Sequence, residues 1–235
     1  MLTITPHEAR VLGVLVEKAH TTPAQYPLTL NGLTVGSNQK NNRLPTTNLS
    51  EDQVFDAVEG LRKKGLVREV QMSGSRVAKF RHLAREALGV ETPALVILTE
   101  LMLRGPESLG DIRQNAGRMH PLESLESVKA VLDELASRPE PLVREYPPPP
   151  GSRAKLYRQL LAPDAHAEPS LRGGGVGGGG GEADEDEAAS VQHVTHAARV
   201  GLEARVEKLE AEVAMLRGAV RALATELGAT TLPPG

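Results

Sequence analysis

Apolar residues in the first third of the chain recur at helical spacing: Leu12, Leu15, Val16 and Ala19, then Leu30, Leu33 and Thr34, then Val54, Ala57, Val58 and Leu61. Each run is an apolar stripe on one face of a helix. Thr5 precedes Pro6 and stands three residues before Glu8, and Ser50 stands three before Gln53, so two of the three helices begin in capping boxes. Gly65 stops the third helix. Leu66–Val70 then alternates as a strand, Ser73-Gly74-Ser75 turns, and Arg76–Phe80 returns. Three helices followed by a hairpin is the winged-helix order.

The same order follows a second time. Leu66-Val67-Arg68-Glu69 recurs as Leu142-Val143-Arg144-Glu145, and Ser75-Arg76-Val77-Ala78-Lys79-Phe80-Arg81 is echoed by Ser152-Arg153-Ala154-Lys155-Leu156-Tyr157-Arg158. Thr92–Arg104, Ser108–Ala116 and Ser124–Ala136 predict the second trio of helices. Leu142–Tyr146 and Lys155–Leu160 predict its hairpin, with Pro147–Pro150 and Gly151 as a stiff tip. The predicted fold class is mainly α with small β-hairpins, two winged-helix units over 1–88 and 89–162.

After Ala162 the pattern changes. Residues 163–190 hold Gly173–Gly175, Gly177–Gly181 and the acidic run Glu182-Ala183-Asp184-Glu185-Asp186-Glu187, the composition of a flexible linker. No Lys-Ser or Lys-Thr pair follows those glycines, so they are not a phosphate loop. Over 191–228, Leu202, Val206, Leu209, Val213, Leu216, Val220, Leu223 and Leu227 form a heptad seam with Val at a and Leu at d, which favours a parallel dimer. Arg205 then faces Glu210 of the partner helix, and Glu212 faces Arg217. Packing of this helix back onto the winged units is the other reading of the same stripe. Residues 229–235 are expected to be a disordered tail.

Composition changes the picture in three ways. The chain has no cysteine, which excludes disulfides, thiolate chemistry and Cys-ligated zinc. It shows no signal-peptide pattern at Met1–Pro6 and no apolar run long enough to span a bilayer, so a cytoplasmic protein with no membrane partner is expected. Its net charge of −3 is unevenly spread: residues 1–88 carry 12 Lys and Arg against 8 Asp and Glu, residues 163–235 only 6 against 12. A basic front is masked by an acidic tail.

That front supplies the candidate contacts. Lys40 and Arg43, in the polar loop with Asn38, Gln39 and Asn42, and Arg76, Lys79 and Arg81, on the returning strand, are cations suited to nucleic-acid phosphates. The amides serve equally well as internal loop caps. The third helix is a poor groove reader, because its outer face carries Glu51, Asp52, Asp56 and Glu59; its counterpart carries Glu123, Glu126, Asp133 and Glu134. DNA binding through loop and wing is one reading. A protein-interaction scaffold is the other, with Phe55, at the margin of the third helix's buried stripe, as partner anchor or as cover for the neighbouring unit. Catalysis is not expected. His193-Val194-Thr195-His196 lacks the spacing of a helical zinc site, and no nucleophile-elbow, dinucleotide or Walker pattern occurs. No metal or cofactor is expected.

Thr22-Pro23-Ala24-Gln25-Tyr26-Pro27-Leu28-Thr29-Leu30-Asn31, Asn38-Gln39-Lys40-Asn41-Asn42-Arg43, Asn48-Leu49-Ser50-Glu51, Ser75–His82 and Arg118-Met119-His120-Pro121 fall in order along residues 5–161. Together they resemble the bacterial YceH-like family. The resemblance implies a tandem winged-helix fold and carries no biochemical activity with it.

Overall fold

The computed structural model describes residues 2–71 and 77–169. Arg76, the chain from 170 onward, the heptad seam from Leu202 to Leu227 and the 229–235 tail lie outside the described residues.

Helix α1 (Pro6–Thr21) begins in the expected capping box. The Thr5 hydroxyl accepts from the Glu8 N–H, and the Thr5 N–H donates to the Glu8 carboxylate at 2.6 Å. A short strand β1 (Leu28–Thr29) leads into α2 (Leu30–Ser37), and α3 (Glu51–Lys63) starts in the Ser50–Gln53 box. At its end the Leu66 N–H donates to Leu61 and the Gly65 N–H to Arg62, with Gly65 at φ 72°. That is a Schellman stop, which only glycine makes without strain. Strands β2 (Val67–Val70) and β3 (Lys79–His82) form the hairpin, and a short α4 (Ala84–Leu88) follows.

The order then repeats as α5 (Thr92–Arg104), β4 (Glu107–Ser108), α6 (Leu109–Ala116), α7 (Leu125–Ser137), β5 (Val143–Tyr146) and β6 (Leu156–Gln159). Each repeat closes one antiparallel three-stranded sheet, in the orders β1-β3-β2 and β4-β6-β5. Mixed α+β, with seven α-helices and two small sheets among the described residues, is the architecture.

The repeats are not independent bodies. Their leading helices α1 and α5 make the most extensive helix–helix packing in the structure. Ala9, Val11, Leu12, Val14, Leu15 and Val16 are all fully buried, because α5 covers the side of α1 that α3 leaves open. At Gly13 a Cβ would lie 2.7 Å from a Leu103 methyl, so the approach of α1 to α5 depends on the missing side chain. The Ile4 N–H donates to the Leu161 carbonyl and the Leu44 N–H to the Leu103 carbonyl at the end of α5, joining the repeats through their backbones. Residues 163–168, expected at the start of a flexible linker, instead pack against the body. His166 Nε2 lies 2.8 Å from the Leu44 carbonyl oxygen, and Arg158 donates to the Pro163 and His166 carbonyls.

Candidate phosphate-contact face

The register of the first sheet decides which side chains share a face. Val67 stands opposite His82, Arg68 opposite Arg81, Glu69 opposite Phe80 and Val70 opposite Lys79. Opposed residues lie on one side of the pleat and alternate along each strand. One face therefore carries Val67, Glu69, Phe80 and His82. Val67 and Phe80 enter the core, and Glu69 pairs with Arg62 of α3 at 3.4 Å. The other face carries Arg68, Lys79 and Arg81, with Val70 and Thr29 beside them.

Among the described residues, none of these three cations has a carboxylate within ion-pair distance or a hydrogen-bond acceptor for its side chain. Arg81 goes further: its Nε is buried and has no acceptor among the described residues. Two like charges directly opposite each other in a ladder repel. An incoming anion relieves that repulsion and supplies the acceptor.

His82, on the opposite side of the sheet, belongs to a set of histidines. Burial first, then the neighbouring His20, pushes the His82 imidazole down to about 4; Arg81 adds to the shift and Glu86 opposes it. Burial and His120 lower His20 likewise. The Tyr26 hydroxyl accepts from the His82 backbone N–H at 2.7 Å, and burial holds the phenol up at about 12. Among the described residues no group of three His, Cys, Asp or Glu side chains is arranged to hold a metal ion, and no helix is long and apolar enough to cross a membrane.

The loop cations part company. Lys40 is exposed. Arg43, expected as a phosphate contact, is 5% exposed and points inward. Its Nη2 donates to Glu17 Oε2 at 2.5 Å and its Nη1 to Glu17 Oε1 at 3.1 Å, while Nε and Nη2 reach the Gly36 carbonyl. The reason is that Glu17 lies on the buried side of α1, and an interior carboxylate needs a bidentate partner. Glu17 also takes Arg118, which bridges to Glu100 at 2.7 Å; Glu100 in turn holds Arg104, and Arg104 donates to Asn42 at 2.6 Å. Burial pushes Glu17 up, but the hydrogen bonds and charges of Arg43 and Arg118 outweigh it and hold the carboxyl below its ordinary value.

The loop amides are likewise internal. Asn38 donates to the Leu49 carbonyl and accepts from the Leu49 N–H, closing the loop like a strand pair. Gln39 accepts from Lys18 and Arg43. Asn42 has φ 59°, and its carbonyl accepts from Arg43. Of the loop, only Lys40 presents its charge to solvent.

Helix α3 shows the pattern read from its sequence. Val54, Val58 and Leu61 are fully buried, Glu51, Asp52 and Asp56 exposed, and Glu59 half-buried against Arg62. Phe55, among the acids, is 46% exposed. On α7 and just before it, Glu123, Glu126, Asp133 and Glu134 are all exposed. Arg68 is the cation of this face that was not singled out from the sequence, although the alternation of Leu66–Val70 puts it on the same side as Val70. The ionic chain through Arg118 had no signal in the sequence, since apart from the i,i+4 pair Glu100–Arg104 its members are far apart along the chain.

The chain is similar to proteins known only by family. A UPF0502 protein of Burkholderia multivorans is 42% identical over 232 residues, covering 99% of this chain and 92% of that protein. A UPF0502 protein of Burkholderia cenocepacia is 41% identical over 233 residues with the same coverage, and one of Burkholderia pseudomallei 41% identical over 225 residues. The family described as "Protein of unknown function, DUF480" matches residues 4–152, which include the whole first sheet and strands β4 and β5 of the second. The YceH-like resemblance is to this same group, and the chain belongs to the DUF480/UPF0502 family of bacterial proteins.

Proposed function

We propose that this chain is a non-enzymatic tandem winged-helix binding protein that contacts nucleic-acid phosphates through the outer face of its first sheet. The repeated order helix, short strand, helix, helix, hairpin supports the winged-helix reading. The observation that carries the function is the set Arg68, Lys79 and Arg81, sharing one face with no anionic partner among the described residues. Lys40 and Arg76 extend the same reading. Arg43 leaves it, because Glu17 already holds that guanidinium.

The mode is backbone contact rather than base reading. Exposed carboxylates along α3 and α7 repel phosphates, so neither helix enters a major groove. Phosphate contacts release counterions, giving a log–log salt slope of about −0.9 per phosphate neutralised. Replacing Lys79 and Arg81 together by Ala is expected to flatten that slope by about two units per protomer in a fluorescence-anisotropy titration on duplex DNA. An unchanged slope places the contacts elsewhere and defeats the proposal.

One observation favours a second reading. Phe55 is a large apolar side chain left 46% exposed between the exposed acids Asp52 and Asp56, a candidate anchor for a protein partner. In that case Phe55→Ala abolishes recovery of a partner from nuclease-treated native lysate, and duplex affinity is absent even at low salt. The heptad seam from Leu202 to Leu227 adds self-association to either reading.

A further inference from the structure

The arginine pair of the first sheet has a counterpart. Arg144 stands opposite Arg158 in the second sheet, in the register that sets Arg68 opposite Arg81, and Tyr146 shares their face. Here the face is not bare. Arg158 Nη1 donates to Glu168 Oε1 at 3.1 Å, and the Tyr146 hydroxyl donates to the same oxygen at 3.0 Å. Arg158 Nη2 donates to the carbonyls of Pro163 and His166.

We propose that this is a second phosphate site, occupied in the free protein by the chain's own Glu168 and opened when nucleic acid displaces that carboxylate. The inference rests on the reading that the first sheet takes phosphates. Its own support is the contrast within the site. Arg158 is 3% exposed and held from behind by two backbone carbonyls, so its outward nitrogen is fixed in place without Glu168. The Glu168 side chain is 66% exposed, so the carboxylate returns to water when it leaves. One carboxylate oxygen takes both donors, whereas a phosphate offers separate oxygens to Arg158, Tyr146 and the exposed Arg144. The strap backbone stays where it is, because His166 is tied to the Leu44 carbonyl of the first repeat.

The second sheet thus holds Arg158 under a self-supplied anion, while the cations of the first have none among the described residues. Such a molecule engages duplex first at Arg68, Lys79 and Arg81. It gains the second contact only where a further phosphate competes with Glu168.

The test uses the full chain and a short fluorescent duplex, titrated over several salt concentrations. Glu168→Gln removes the competing charge and is expected to steepen the log–log slope by about 0.9, one added phosphate. Adding Arg144→Ala to that variant is expected to lower affinity and return the slope toward the wild-type value. Both positions are exposed, so neither change threatens folding. Glu126→Gln on α7 removes one charge without touching the site and serves as the control. A Glu168→Gln slope equal to that of Glu126→Gln overturns the second site. If Lys79→Ala/Arg81→Ala still flattens the slope in that case, the first-sheet reading survives alone. No binding by any variant at low salt overturns both.

Discussion

Arg43 and Arg81, both read from the sequence as phosphate contacts, are placed very differently. Arg43 is enclosed with Glu17, so its loss leaves a buried carboxylate with Arg118 as its main remaining partner. Arg43→Ala is expected to destabilise the fold by about 3–5 kcal/mol in urea unfolding, with no change in the salt slope of duplex binding. A second residue-scale consequence concerns Glu107. Burial, then the neighbouring Glu100, raises its carboxyl to about 7, against a hydrogen bond from Asn115. The folded state therefore binds a proton that the unfolded state releases between about 4.5 and about 7, and stability is lost as pH rises through that window. Glu107→Gln is expected to raise stability at pH 8 by on the order of 2 kcal/mol while changing little near pH 4.5. His82, His20 and His166 have the opposite sign. Burial lowers all three, so their stability is present above about 6.5 and lost as pH falls toward the His82 value of about 4. Urea midpoints at several pH values separate the two effects. Legibility at this scale was partial. Charge and alternation pointed to Lys79 and Arg81, but nothing local distinguishes an arginine that meets a buried glutamate from one that does not.

At the scale of elements, the caps and stripes were enough to place α1, α3, α5, α6 and α7, because a capping box and an apolar face are local properties. Strands β1 and β4 were not legible. Two residues are too few to alternate, and each exists only because β3 or β6 arrives from far along the chain to pair with it. The all-round burial of α1 was also missed; its stripe of Leu12, Leu15 and Val16 says nothing of α5 covering Val11 and Val14. That contact yields a prediction. Gly13→Ala drives a methyl into Leu103 and is expected to cost about 1–3 kcal/mol, checked by urea unfolding. A neutral outcome means that α1 and α5 are free to move apart.

At the largest scale, two repeats share one core and one ionic chain, yet they treat their sheet faces differently: among the described residues the cations of the first have no anionic partner, while Arg158 of the second is paired with Glu168. The sequence repeat announced the pairing of the two units, but the strap at 163–168 has no counterpart after the first hairpin, where α4 follows instead. The heptad pattern from Leu202 to Leu227 lies outside the described residues, and the proposal that it self-associates is tested by assembly state. The full chain is then expected to sediment as a dimer, and Leu209→Asp with Leu216→Asp as a monomer. A dimer in both cases assigns the interface to the repeats. The central claim, that Arg68, Lys79 and Arg81 hold phosphates, is tested most directly by the salt dependence of duplex affinity for the unaltered protein. With three contacts per protomer the log–log slope is expected at about −2.7 per protomer engaged. Absence of measurable binding at low salt, or a slope indistinguishable from zero, contradicts it.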